Sequence, residues 1–272
     1  MADRLAALTN SYHSYSMEEA VEGIAGAGFK SIELTAVRGW TEHVSLDADE
    51  KEITRIKDLL ARNGLEPVSL SGHSDLATDA GVDQFRKAMD LAQTFGLSIV
   101  NTGTGGELHP GEEDVEALRK AFLERVDTVA DDAAKRGLKV CLEIHGHILP
   151  SGKAGAQLIK DIGRDNVLLN YDPGNAIHYG GVDAHEDIDA ALPYTGHIHI
   201  KDQIGGFGVW NFPAVGTGEI NWDRIFASIN ASDYTGPLSV EIEFQGEPWP
   251  PLEDVNAAMK QSYEFLRRYI PA

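Results

Sequence analysis

Apolar residues recur along this chain in two alternating rhythms. Short runs are apolar at nearly every position, and longer stretches return to an apolar residue every third or fourth position. The short runs predict strands: Leu5 to Thr9, Ser31 to Thr35, Pro67 to Ser71 and Ser98 to Thr102, then four more over Val140 to His145, Val167 to Asp172, His197 to Asp202 and Leu238 to Glu243. The longer stretches have the period of helices packed on one face. They cover Met17 to Ala27, Asp49 to Asn63, Asp83 to Phe95, Glu112 to Arg136, Gly155 to Ile162, Ala184 to Leu192, Trp222 to Asn230 and Leu252 to Tyr269. Gly28, Gly64, Gly96 and Gly137 stand just past four of these stretches, as helix C-caps do.

Helix-length crossovers force neighbouring strands to run parallel, and repeated right-handed crossovers return the eighth strand to the first. The expected fold is therefore α/β, a single (β/α)8 TIM barrel occupying residues 1–272 as one domain. The alternative is an open doubly wound sheet, but no Gly-x-Gly-x-x-Gly follows the first strand, so a dinucleotide site has no support. The segment Gln203 to Gly218 is rich in glycine, carries Phe207, Trp210 and Phe212, and exceeds a plain connection. It is either a lid or sugar-stacking surface, with Trp210 as the substrate contact, or a surface loop with apolar anchors.

The last four strands each carry a potential metal ligand near the C-terminal end: Glu143, Asp172, His199 and Glu241. They are 29, 27 and 42 residues apart in sequence, yet a parallel barrel gathers strand ends on one face. Three carboxylates in one mouth repel one another unless paired, and a divalent cation pairs with all of them. One imidazole among oxygens suits Mn²⁺, Mg²⁺ or Co²⁺ better than a sulfur-rich zinc site. Such a cation leaves positions for two substrate oxygens and suits polarisation of a carbonyl or hydroxyl and stabilisation of an enediolate-like intermediate.

Side chains two apart on a strand point the same way. His145 accordingly shares the face of Glu143, one pleat further out, as a general base near neutral pH or as a histidine hydrogen-bonded behind the ligands. His197 and Lys201 share the face of His199, and Glu243 that of Glu241. His197 lies deeper and is expected to be packed; Lys201 either orients a substrate oxygen or pairs with Asp202. Glu33 and His73, at the second and third strand ends, are expected to contact sugar hydroxyls on the opposite wall. His109 and His147 are read as loop residues.

Composition narrows the classes further. With 43 acidic against 23 basic residues the formal charge is −20, which disfavours nucleic acid and anionic membrane surfaces as partners. Cys141 is the only cysteine, so no internal disulfide forms, and its apolar surroundings indicate a buried thiol. No charged-then-apolar leader opens the chain, and no apolar run approaches the roughly 18 residues of a membrane span. The expected compartment is the cytoplasm.

Five segments carry a resemblance: Ser31-Ile-Glu-Leu, Leu142-Glu-Ile-His, Tyr171-Asp-Pro-Gly-Asn, His197-Ile-His-Ile-Lys-Asp and Gly236-Pro-Leu-Ser-Val-Glu-Ile-Glu. Together they are similar, over nearly the whole chain, to the xylose isomerase-like TIM barrel superfamily of sugar phosphate isomerases and epimerases. The resemblance implies Glu143, Asp172, His199 and Glu241 as metal ligands. In the ketose 3-epimerases of that superfamily it also implies Glu143 and Glu241 as the pair exchanging the substrate proton, one on each face of the carbon.

Two departures stand against those epimerases: Asn175 replaces a substrate-binding histidine, and an arginine shortly after the metal histidine is not evident. Asn175 likewise breaks the zinc-cluster pattern of the apurinic endonuclease branch. The Glu143-x-His145 pair resembles the catalytic subunit of bacterial C-glycoside deglycosidases, which carry Mn²⁺ and act with a small β-sandwich partner subunit. That branch implies β-elimination from a 3-oxo-C-glycoside with His145 as base. Three readings follow: this lyase; a keto-sugar 3-epimerase or aldose-ketose isomerase using Glu143 and Glu241; or a catalytically silent sugar- or partner-binding barrel. The expected ligand is a small sugar or glycoside, and the assembly either a hetero-oligomer with the β-sandwich or a homo-oligomer.

Overall fold

Eight parallel strands close on themselves in chain order: β1 (Leu5–Leu8), β2 (Ser31–Thr35), β3 (Glu66–Ser71), β4 (Ile99–Thr102), β5 (Lys139–Glu143), β6 (Val167–Tyr171), β7 (Thr195–Ile200) and β8 (Leu238–Val240). Ala7 pairs with Ile32 on one side and Val240 on the other, which seals the ring. The computed structural model describes residues 4–105, 114–246 and 248–270. His109 and the first residues expected of the fourth helix, 112–113, lie outside the described residues. The helices form the outer layer: α1 (Met17–Ala27), α2 (Glu50–Asn63), α3 (Asp79–Thr94), α4 (Val115–Lys135), α5 (Gly152–Ile162), α6 (Pro173–Gly180), α7 (Ala184–Ala191), α8 (Trp222–Ala231) and α9 (Leu252–Leu266). This is the (β/α)8 barrel that the alternating periods predict. None of the described helices is long and apolar enough to cross a membrane.

Local chemistry sets the helix boundaries. Ser16 and Glu19 close a capping box at the start of α1, and Gly28 ends it at φ 115°, a conformation that costs a side-chain-bearing residue. Thr78 accepts from the Gly81 amide and starts α3 at Asp79, four residues earlier than apolar spacing indicates. The apolar face of each helix packs on the strands, Val126, Val129 and Ala133 of α4 for instance being buried. Cys141 is fully buried in β5, where burial pushes its thiol up to about 12, so it is not a nucleophile at neutral pH.

The differences from expectation cluster at the strand C-termini. β8 stops at Val240 and β5 at Glu143, so Glu241, Glu243 and His145 stand on the turns beyond. His145 donates its amide to the Leu149 carbonyl at 2.9 Å, closing a tight turn instead of extending the strand. Helix α6 occupies Pro173–Gly180, a stretch given no helix by the apolar spacing. Proline is tolerated at the first helical position because its missing N–H would be unpaired there anyway, and Asp172 caps the helix by accepting from the Asn175 amide at 2.9 Å. The segment after β7 is held by its own bonds and by an apolar anchor. Gln203 Nε2 donates to the carbonyls of Ile204, Gly206 and Val209, and Phe212 is fully buried against the turn at Glu243.

Candidate metal centre

The ends of β5 to β8 bring one oxygen each from Glu143, Asp172 and Glu241, and a nitrogen of His199, within 4.8 Å of one another. All four residues are buried, with exposures of 3% for Glu143, 4% for Glu241 and 0% for the other two. His199 Nδ1 lies 3.2 Å from Glu241 Oε2, 3.4 Å from Glu143 Oε2 and 3.9 Å from Asp172 Oδ2. Neither His199 Nδ1 nor Asp172 Oδ2 makes a hydrogen bond, although both are sealed from solvent. Two orphaned polar atoms facing each other among carboxylates are costly without a partner, and a divalent cation satisfies both. The donor set, three carboxylates and one imidazole, fits a hard, oxygen-preferring ion.

Groups behind the ligands fix their orientation. Glu33 is fully buried beneath His199, its Oε2 3.3 Å from Nε2, while its Oε1 accepts from Asn101 at 2.5 Å. The buried carboxylate demands a donor, so Nε2 carries a proton; the surrounding carboxylates hold His199 well above its ordinary range without metal, and Nδ1 is the nitrogen that would give up its proton to a cation. The Asn170 amide, 3.2 Å from the same Nε2, has Glu143 Oε2 at 3.4 Å to donate to instead. Glu33 is therefore not the sugar contact its strand-end position suggests: β2 delivers it below the ligand layer, out of reach of the cavity. His197 is packed as expected, bridging Asn170 Oδ1 and Ser69 Oγ at 2.9 and 3.0 Å, and burial brings it down to about 4, so it is neutral.

Glu143 Oε1 accepts from Asn175 Nδ2 at 2.9 Å, and its Oε2 meets His73 Nε2 at 2.9 Å. Glu241 Oε1 accepts from Asn10 Nδ2 at 3.0 Å, and its Oε2 meets Lys201 Nζ at 3.2 Å. Burial works to raise both glutamates. His199 and His73 outweigh it at Glu143, which lies well below the carboxylate range, and Lys201 with His199 brings Glu241 to about 2. Asp172 has no such compensation; burial, opposed mainly by Lys201, leaves it well above the ordinary range.

Lys201 pairs with Glu243 at 2.5 Å and not with Asp202. Asp202 turns away because the amides of Gly216 and Gly218 and the Trp222 indole bind its Oδ2 at 2.8, 3.0 and 3.0 Å, pinning the segment after β7.

A cavity of about 760 Å³ opens above the cluster, lined among others by Glu143, Glu241, Glu243, His73, His145, Lys201 and Trp210. His145 Nε2 lies 2.9 Å from the Tyr179 hydroxyl on α6. Its ring centroid is 5.9 Å from that of His73. Trp210 packs edge-on against Phe212 and His178 at the rim. His147 sits in the turn closed by His145 and Leu149.

Two residues escape sequence reasoning. Asn175 is visible there only as a missing histidine, and Asn10, in a 3-10 turn directly after β1, is not singled out at all. A polar residue following an apolar strand of a barrel is the one signal that marks Asn10.

Comparison with known proteins agrees with this geometry. Residues 21–269 match the model of the family described as xylose isomerase-like TIM barrel. An L-ribulose 3-epimerase of Methylomonas sp. (strain DH-1) is 26% identical over 241 residues, covering 82% of this chain and 77% of that protein. A D-psicose 3-epimerase of Agrobacterium fabrum is 23% identical over 248 residues, covering 81% and 77%. Among solved structures, a D-psicose 3-epimerase in the presence of D-fructose superposes with a TM-score of 0.80 at 18% identity, covering 98% of this chain and 99% of that one. A xylose isomerase-like TIM barrel protein from Mycobacterium smegmatis in complex with magnesium gives 0.76 at 22% identity, covering 99% and 100%.

Proposed function

Since this chain belongs to the xylose isomerase-like TIM barrel family, we propose that it is a divalent-metal-dependent keto-sugar 3-epimerase, exchanging a proton at the carbon beside a ketone. The observation that carries the reading is the matched pair Glu143 and Glu241. Each has one oxygen tied to an asparagine amide and the other directed at His199 Nδ1. Inversion at carbon needs a base on one face and an acid on the other, and two carboxylates held alike beside one centre are candidates for that pair. The relatives with 3-epimerase names support the same reaction class.

In this reading Glu143, Asp172, His199 and Glu241 hold the ion, Mn²⁺ in first place with Mg²⁺ or Co²⁺ as alternatives. A bound divalent cation supplies Lewis-acid polarisation of the ketone and its neighbouring hydroxyl. Glu143 and Glu241 take and return the proton, Asn175 and Asn10 keep the carboxylates from rotating, and His73 and Lys201 keep them ionised. His145, with Tyr179, and Trp210 line the space above and hold the remainder of the sugar.

The elimination reading, with His145 as base and a β-sandwich partner subunit, has no counterpart among the relatives named above. It retains only the placement of His145 in the cavity wall. Incubation with Mn²⁺ and D-fructose, D-psicose or L-ribulose in D₂O tests the choice. Deuterium at the carbon beside the carbonyl together with both epimers supports the proposal; no exchange from any ketose overturns it.

A further inference from the structure

The cavity above the cluster, which opens to solvent, has room for more than a lone monosaccharide. At roughly 30 Å³ per heavy atom, water's share of its liquid and generous for bonded atoms, a hexose of about a dozen heavy atoms needs at most about 360 Å³. About 760 Å³ is present. The surplus space has a prepared wall. Trp40 lines the cavity and is 46% exposed, unusual for so large an apolar side chain. Its indole is stacked on His13 at 4.1 Å and 15°, and its Nε1–H donates to Asn10 Oδ1 at 3.0 Å. Pinned by one face and one edge, the ring loses little freedom when a ligand settles on it. Asn10 also donates to Glu241, so the aromatic surface is one side chain away from the proposed reacting carbon.

The charges of the cavity wall disfavour an anion. Its cationic groups among the described residues are Lys201, Arg38 and His73, the last held by Glu143 at 2.9 Å. Lys201 is spent on Glu241 and Glu243, and Arg38 reaches Asp47 at 2.7 Å and Glu42 at 3.4 Å. Asp75 adds a further carboxylate to the wall. A phosphate would find no uncommitted cation to bind it.

We propose that the substrate is an uncharged keto-sugar carrying a second ring, sugar or aryl, and that the second ring stacks against Trp40. The inference rests on the epimerase reading only for the chemistry at the cavity floor. It is tested by calorimetry on the Mn²⁺-loaded protein with D-fructose, isomaltulose, lactulose, 6-O-benzyl-D-fructose and fructose 6-phosphate. At least one ring-bearing probe should bind about tenfold more tightly than D-fructose, and fructose 6-phosphate more weakly. The preference should shrink by about threefold or more in Trp40→Ala and survive in Trp40→Phe, which keeps an aromatic face but loses the bond to Asn10. Equal affinity for D-fructose and every ring-bearing probe, no binding of any of them, an undiminished preference in Trp40→Ala, or tightest binding of the phosphate each overturns it. Circular dichroism establishes that both variants are folded. Deuterium uptake from D₂O, read on the same samples, separates the two claims. Ring preference without uptake defeats the epimerase reading alone, and uptake into D-fructose without ring preference defeats the second-ring site alone.

Discussion

Glu143 and Glu241 each turn one carboxylate oxygen to His199 Nδ1, at 3.4 Å in the first and 3.2 Å in the second, while an asparagine amide holds the other oxygen of each. The two amides come from unrelated places, Asn175 from the first turn of α6 and Asn10 from the turn after β1. Like orientation reached by unlike means indicates that orientation is what the site requires. The remaining partners differ, His73 at Glu143 and Lys201 at Glu241, so the two carboxylates sit in unequal fields suited to unequal roles.

Replacing either glutamate with its neutral isostere tests the pair. Glu143→Gln and Glu241→Gln each keep the shape and an oxygen for the asparagine contact but lose the base and a ligand charge. Deuterium incorporation into a ketose should fall by about 10²-fold or more in each. Wild-type exchange in either variant removes that residue from the proton-transfer pair.

Asp172→Asn separates metal binding from folding. Burial already drives the Asp172 carboxyl well above its ordinary range, so the metal-free protein gains nothing from its charge. The variant should melt no lower than wild type without metal. Saturating Mn²⁺, at about 100 times its Kd, should add roughly 2.7 kcal/mol of stability, several degrees of melting temperature, to wild type and almost nothing to Asp172→Asn. An equal upward shift in both proteins would place the ion elsewhere.

His145→Asn discriminates epimerisation from elimination. The ring lies in the cavity wall beside Tyr179. Under the epimerase proposal it positions substrate, so kcat for ketose exchange should stay within about tenfold while KM rises. A loss of kcat of about 10²-fold or more, the scale of a missing general base, would restore the histidine-base reading.

Asn10 links the proposed ring platform to Glu241, and charge reveals which contact matters. Asn10→Ala removes a hydrogen bond to a carboxylate, worth about 1.5–3 kcal/mol, and should lower kcat/KM by about tenfold or more. Asn10→Asp nearly keeps the size but sets a third carboxylate against Glu241 and Glu243, 3.0 and 3.2 Å from the present amide nitrogen, and should be worse than alanine. Aspartate performing as well as asparagine would show that the amide's donation to Glu241 is dispensable.

The barrel and its ligand layer are legible in the sequence because they rest on period and position. Eight apolar runs separated by helical stretches specify the ring, and Glu143, Asp172, His199 and Glu241 sit where those runs end. What lies behind and above the layer is not legible, because it depends on three-dimensional register. Glu33 stands at a strand end like the others, yet the stagger of β2 against its neighbours drops it below His199. Lys201 precedes Asp202 in sequence, but the amides at Gly216 and Gly218 claim Asp202 first. Helix α6 hides behind a Pro-Gly pair that also fits a turn, and only the capping bond from Asp172 decides between them.

Stability should also report a buried imidazole away from the metal centre. His43 donates from Nε2 to the Tyr15 carbonyl at 3.0 Å, while Nδ1 is buried with no partner. Burial, aided by the nearby His13, holds its pKa below the ordinary 6.5, since protonating Nδ1 would place an unpaired charge in the interior. Between the lowered folded value and about 6.5 the unfolded chain binds a proton that the folded chain refuses, so stability rises with pH across that window. The contribution is complete above about pH 6.5 and is lost as pH falls toward the folded value. Because His197 and His178 shift the same way and His73 the opposite way, the measurement is a difference. His43→Gln offers a comparable amide donor to the Tyr15 carbonyl and cannot titrate. Melting curves of the two proteins from pH 7.5 to 5 should therefore shift in favour of the variant as pH drops below about 6.5. A gap that stays constant across the window would mean that His43 titrates alike in the folded and unfolded chains.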